Sequence, residues 1–271
     1  MDAIAKYSVP ILVIVIILTA CVPRPAATPT PVPTQTLTPV STETPTPAMD
    51  NGIIQFSGYE WEIRDSGLSG PGPNLWDRKN VWLDENGDLH LRITHAADGW
   101  HCAEVTMTQR LGFGTYQFQV SGRIDQLDRN VVLGLFNYPT EDVGPDATNE
   151  IDIEFARWGD PNADNGGYTI WPAQPGRSQN SKTFTFALSG DYTTHRFMWQ
   201  SDHIFFQSLH GHREDDENLI ADWQYEPQNP AQYISQQPMP VHINLWLFQG
   251  QAPADGQEVE IVIHRFTFTP L

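Results

Sequence analysis

Seven consecutive residues, Asn149-Glu150-Ile151-Asp152-Ile153-Glu154-Phe155, restrict the fold of this chain more than any other stretch. From Glu150 onward acidic and apolar residues alternate strictly, which is the period of a β-strand. Side chains two apart on a strand share a face, so Glu150, Asp152 and Glu154 point one way and Ile151, Ile153 and Phe155 the other. The apolar face has a structural use: it packs into a core between two sheets. The acidic face has none, because like charges in one short row repel and add nothing to folding. A solvated strand face is the bland alternative, and the same repulsion weighs against it.

One chemistry that wants such a row is cleavage of a glycosidic bond. Retaining glycosidases place two carboxyl groups about 5–5.5 Å apart, one a nucleophile and the other a general acid and base. Residues four apart on a strand have Cα atoms roughly 13 Å apart. Two Glu side chains leaning inward over a concave sheet could close much of that gap. Crowded carboxylates do not all ionise alike, so one is held protonated as the acid.

Beyond residue 49 the chain repeats short alternating runs broken by turn residues. Leu89, Leu91 and Ile93 follow an Asn86-Gly87 turn; Tyr116, Phe118 and Val120 form a second run; Phe184 and Phe186 a third; and the segment from Glu258 through Ile263 continues to Phe266 and Phe268. No long segment has a helical period, and residues 227–240, rich in Pro and Gln, read as a loop. This pattern predicts an all-β antiparallel sandwich over residues 49–271, with no internal repeat and no boundary that divides it.

The strand Glu150-Ile-Asp152-Ile-Glu154 resembles the active-site strand of glycoside hydrolase family 16, which includes lichenases, laminarinases, agarases, κ-carrageenases and xyloglucan endotransglycosylases. With no extra residue between Asp152 and Glu154, it is closer to the lichenase and xyloglucan-enzyme form than to the bulged laminarinase form. Other segments keep the family's order. Cys102-Ala-Glu-Val-Thr106 with Phe113-Gly-Thr-Tyr116, and Leu135-Phe-Asn-Tyr138, are similar to its strands, as are Thr193 to Trp199 and Val241-His-Ile-Asn-Leu-Trp246. The resemblance implies a concanavalin A-like β-jelly roll with a concave glycan-binding cleft. It implies Glu150 as nucleophile, Asp152 as its electrostatic partner and Glu154 as acid and base. It also implies Glu104, Phe136, Tyr138, Asn244 and Trp246 as sugar contacts. The chain departs from lichenases at Thr106, where they carry Arg, at Thr148, where they carry Trp, and after Glu154. The mechanism therefore transfers more directly than the substrate.

The remaining features are weighed against these. Nine tryptophans offer flat faces for pyranose rings; Trp100, Trp158 and Trp171 suit cleft or core equally. The nine histidines show no metal-ligand spacing, and His210-Gly-His212 before Glu214–Glu217 reads as a solvated loop. No cofactor is required, and the resemblance leaves room for a structural calcium ion. A formal net charge of -18 excludes nucleic acid as a partner, since phosphate binding needs clustered Lys and Arg. A β-linked polysaccharide is the expected partner and a monomer the expected state.

Residues 1–21 read as an export signal: Lys6 precedes the apolar run Ile11 to Leu18, which is too short to span a membrane. The run ends in Leu18-Thr-Ala-Cys21, similar to a bacterial lipoprotein signal, which implies lipidation of Cys21 and a cell-surface protein anchored to the membrane by that lipid. Residues 22–48, rich in Pro and Thr, form an extended tether. Cys102 then has no intramolecular disulfide partner and reads as a small buried residue.

The reading that unites these features is a retaining endo-β-glycanase acting on β-1,3-1,4- or β-1,3-glucan. Its rivals are a non-catalytic carbohydrate-binding sandwich and a transglycosylase of the same family.

Overall fold

The structure, a computed structural model, describes residues 52–271. The stretches expected to be an export signal and a tether, Cys21 among them, lie outside the described residues. Strands are numbered along the chain. One sheet runs in the order β12 (Asn180–Phe184), β11 (Gly166–Ile170), β10 (Ile151–Phe155), β9 (Val131–Asn137), β16 (Met239–Leu247), β7 (Gly99–Leu111), β2 (Tyr59–Ile63) and β1 (Ile53–Phe56). The other runs β5 (Val81–Leu83), β6 (Leu89–Ala96), β17 (Val259–Pro270), β8 (Gly114–Ser121), β13 (Tyr192–Trp199), β14 (Ile204–His210) and β15 (Leu219–Tyr225). A small hairpin, β3 (Gly67–Ser69) and β4 (Asn74–Trp76), adds a short parallel pairing to β7. This is the expected all-β sandwich. Residues 227–240 hold only one helical turn, Pro230–Tyr233, within their loop.

The two sheets meet through the apolar residues that the alternation points inward. Ile151, Ile153 and Phe155 are fully buried, as are Leu89, Leu91, Ile93, Phe118 and Val120. Aromatic rings bridge the layers: Trp61 meets Phe266 edge-on at 5.6 Å, and Tyr168 stacks on Phe206 at 4.9 Å. Edge-to-face and offset arrangements are the ones the ring quadrupole favours. Cys102 is buried, and that burial pushes its thiol up to about 12, as suits an inert core residue.

One polar run crosses this apolar interior. Thr193 Oγ1 lies 2.8 Å from His195 Nε2, and His195 Nδ1 lies 2.9 Å from Ser208 Oγ. The Tyr168 hydroxyl lies 2.8 Å from Ser208 Oγ and 3.1 Å from the Ala221 carbonyl. Burial holds His195 neutral, pushing it down to about 3, so each ring nitrogen has one role: one donates and one accepts. His195 packs 4.5 Å from the Phe155 ring and Tyr168 stands opposite Ile153, so this network backs the acidic strand.

Removing one member of a satisfied buried network leaves the others short of a partner. Tyr168→Phe should therefore lower unfolding free energy by about 1–3 kcal/mol, measured by urea denaturation at pH 7.

Candidate active site

The acidic strand β10 is central in its sheet, paired to β9 and β11 without any register shift. The strict alternation of the sequence is thus kept in space, with no bulge between Asp152 and Glu154. Chain entry to the strand is fixed by Asn149, whose φ of 62° is the left-handed conformation that Asn tolerates and whose N–H donates to the Pro172 carbonyl at 3.0 Å. The next carbonyl, that of Glu150, accepts from the Trp171 N–H at 2.9 Å.

Register then assembles two transverse rows from segments far apart in the chain. Asp152 lies between Thr169 and Phe136, and His242 and Thr106 follow beyond Phe136. Glu154 lies between Gly167 and Gly134, and Asn244 and Glu104 follow beyond Gly134. Gly134 is required there: a Cβ would come within 2.5 Å of Asn244 Oδ1. Two hollows flank β10. One, of about 510 Å³, opens over β9, β16 and β7; the other, of about 640 Å³, opens over β11 and β12. Glu150 and Glu154 line both, so the carboxyl groups stand midway along a groove open on either side.

The electrostatics divide the acids of this groove into two kinds. Glu104 is buried, which by itself would raise its carboxyl. His242 and Arg64 outweigh that burial and hold it below the usual range. Arg64 Nη1 donates to Glu104 Oε2 at 2.7 Å, and the same guanidinium lies 4.2 Å from the centre of the Trp76 ring. His242 Nδ1 lies 3.3 Å from Glu104 Oε1, and Asn244 Nδ2 donates to Oε2 at 3.4 Å. Glu104 is therefore a fixed anion in a cradle of donors.

Glu150, Asp152 and Glu154 have no such cradle, and among the described residues no ion pair reaches them. Burial, with repulsion from Glu154, lifts Glu150 to about 8; burial lifts Glu154 to about 7. Asp152, enclosed by burial and by both neighbouring charges, is raised well above the carboxylate range. The row thus retains protons near neutrality, and those protons belong to the row as a coupled set. Asp152 gains most from holding one. Its Oδ2 accepts from Trp171 Nε1 at 3.1 Å, whereas its Oδ1 is buried without a donor. A proton held by Asp152 can be shared with Glu150, and that hydrogen bond favours Glu150 as the carboxylate.

The other residues singled out in the sequence distribute as follows. Phe136, Tyr138, Asn244 and Trp246 line the β9-side hollow with Glu104. Phe136 stacks on His242 at 5.1 Å, and the Tyr138 hydroxyl donates to Asp146 at 2.8 Å. Trp158, 40% exposed, lines the β11-side hollow, its ring 6.2 Å from Trp246 and 5.6 Å from Phe248. Trp171 belongs to the same hollow. Trp100 lines neither: it sits at the end of the β6–β7 hairpin beside His95, packed against the core. Among the described residues no group of His, Cys, Asp and Glu is arranged to hold a metal ion. In the 210–217 loop Arg213 pairs with Asp215 and Glu217, and Arg196 pairs with Asp216.

Sequence reasoning missed Arg64, His242, Asp146 and Phe248. His242 was within reach of period-2 alternation, being two and four residues before Asn244 and Trp246, the residues the resemblance named on that strand. Arg64 lies just past β2 and carries no local signal.

The sequence model described as "Glycosyl hydrolases family 16" matches residues 73–262. Curated protein sequences gave no significant match. Among solved structures the chain is similar to the Bacillus licheniformis β-glucanase, with 20% identity, a TM-score of 0.58, and 83% of this chain and 96% of that one covered. It is similar to a family 16 endo-glucanase from Bacteroides ovatus, at 12% identity and TM-score 0.58 over 77% and 94% of the two chains. It is also similar to an immunostimulatory antigen and pseudo β-1,3-glucanase of Mycobacterium tuberculosis, at 19% identity and TM-score 0.56 over 77% and 91%. At such identities these likenesses speak to the jelly-roll sandwich alone. The family match spans most of the chain and contains the acidic strand with its flanking rows, and on that ground the chain belongs to glycosyl hydrolase family 16.

Proposed function

We propose that the protein is a retaining endo-β-glycanase that cleaves a β-1,3-1,4- or β-1,3-glucan by double displacement. The observation that carries this reading is a row of three carboxyl groups, without an ion pair among the described residues, midway along a groove open on both sides. A groove of that form suits a chain passing across it rather than a chain end.

In the first step the Glu150 carboxylate attacks the anomeric carbon while protonated Glu154 gives its proton to the leaving glycosidic oxygen. A glycosyl ester on Glu150 and a free chain end result. Glu154, now a carboxylate, takes a proton from water, and the water oxygen displaces Glu150 from the anomeric carbon. Asp152 is a positioning residue: its retained proton donates to Glu150 and keeps the attacking oxygens aligned. Trp171 holds Asp152 from behind. Glu104, Asn244 and the rings of Phe136, Tyr138, Trp158 and Trp246 would grip sugar units on either side.

The same reading extends to the cell. Export, lipidation at Cys21 and the Pro/Thr tether would hold this domain off a membrane surface, where polymeric glucan is met.

The role of Glu150 is tested by chemical rescue. Glu150→Ala should lose at least about a thousandfold in kcat. Azide should restore part of it, giving an α-glycosyl azide, whereas Glu154→Ala with azide should give the β-glycosyl azide. Measurable glycan binding with no reducing-end release by the wild type, across β-1,3-, β-1,3-1,4- and β-1,4-glucans, would return the chain to the binding class.

Stability should carry the mark of the acidic row. Its folded-state pKa values, about 7 and about 8 for the two glutamates, stand above their ordinary value of 4.5. The row therefore stabilises the folded protein fully below pH 4.5, and that contribution fades as pH rises through 7 and 8. Asp152→Asn removes one of the row's three proton-holding groups and so part of this pH dependence. Its Tm relative to wild type should rise by at least about 2 °C between pH 5 and pH 8, followed by calorimetry.

A further inference from the structure

Two adjacent glycines on β11 stand there for different reasons. Gly166 faces the core, and a Cβ on it would meet the Phe184 ring at 2.5 Å, so packing requires glycine. Gly167 faces the cleft, opposite Glu154 on one side and Thr183 on the other. A Cβ on Gly167 would meet nothing nearer than Thr183 Cγ2 at 3.8 Å and the Lys182 carbonyl at 3.9 Å, which are ordinary contacts. Its φ is not in the left-handed region, so the backbone does not require glycine either. Glycine within a strand lowers stability relative to residues with a side chain, and it often marks a place where a ligand approaches the backbone closely.

The space that a side chain at 167 would fill belongs to the hollow of about 640 Å³ that Trp158, Trp171 and Glu154 also line. Cross-strand neighbours have Cβ atoms about 4.5–5.5 Å apart. A methyl group at 167 would therefore stand beside the Glu154 side chain, on its β11 flank. The opposite flank differs. There Gly134 is demanded by Asn244, whose Oδ1 already occupies the room. Of the two glycines that flank Glu154, Gly167 is the one left bare with no reason inside the protein.

We propose that Gly167 is a specificity-determining position of the groove, kept bare for the substrate. The inference rests on the glycanase reading. A pyranose unit of the bound glycan lies against the exposed β11 backbone at Gly167, walled by Trp158 and Trp171. The depth to which it settles sets how near the scissile oxygen comes to Glu154.

The test compares Gly167→Ala and Gly167→Val with Gly166→Ala in the full chain. Both variants at 167 should melt at or above the wild-type Tm, whereas Gly166→Ala should melt lower. Binding of β-1,3- and β-1,3-1,4-glucan hexasaccharides is measured by calorimetry in a Glu150→Gln background, so that nothing is cleaved. Affinity should fall about tenfold for the alanine and further for the valine, and kcat/KM on polymer should fall with it, as small misplacements near a reacting bond do. Wild-type affinity and kcat/KM in Gly167→Val, or a Tm that falls in step with any loss, would overturn the inference while leaving the glycanase reading intact. A wild type that binds hexasaccharide without cleaving it, and loses that binding in Gly167→Val, would remove the glycanase reading and keep the sugar site. A wild type that neither binds nor cleaves would remove both.

Discussion

Everything at this site depends on three carboxyl groups buried together on one strand face. Burial first, and repulsion between Glu150, Asp152 and Glu154 second, make ionising all three unfavourable, so the row holds protons that isolated carboxylates would release. The repulsion is tolerated because the opposite face of the same strand is Ile151, Ile153 and Phe155, fully buried between the sheets. Hydrophobic burial on one side of β10 thus supports the crowded charge on the other. The interior chain of Thr193, His195, Ser208 and Tyr168 adds direction, because hydrogen bonds fix orientation where apolar contacts do not.

The rest of the groove is arranged by contrast with that row. Glu104 stands in the same transverse line as Glu154, separated from it by Asn244 and Gly134, and its electrostatics are opposite. Arg64 and His242 pin it as an anion, fit to accept hydrogen bonds from sugar hydroxyls. Glu154 lacks both partners and is free to exchange a proton. Two glutamates on one sheet face therefore have different chemistry, set by which hydrogen-bond donors and ion-pair partners the neighbouring segments supply. The cross-strand neighbours of Glu154 are both glycine.

Much of this was legible in the sequence where the information is local. Period-2 alternation placed Glu150, Asp152 and Glu154 on one face, and the absence of an inserted residue matched the unbroken register of β10. Asn244 and Trp246 were named by the family resemblance rather than by periodicity, and both line the β9-side hollow. What failed was whatever depends on pairing between distant segments. Trp100 and Trp246 are equally suited to sugar stacking as residue types. The β6–β7 hairpin carries Trp100 away from the groove, whereas the pairing of β16 with β9 carries Trp246 to it. Arg64 reaches Glu104 only because β2 pairs with β7. Thr193, Thr194 and His195 are all buried in succession, against the rule that alternate residues of a strand face solvent. Side-chain and backbone hydrogen bonds absorb that polarity, and spacing cannot announce such a network.

The central claim is that a carboxylate on the acidic strand attacks the anomeric carbon and is then displaced by water. Proton NMR taken in the first minutes of glucan hydrolysis, before mutarotation, reads this directly. Two successive inversions return the new anomeric centre to its original configuration, so the β-anomer should appear first and the α-anomer only as equilibrium is approached. Initial release of the α-anomer would mean a single displacement by water, and the nucleophile assigned to Glu150 would be wrong.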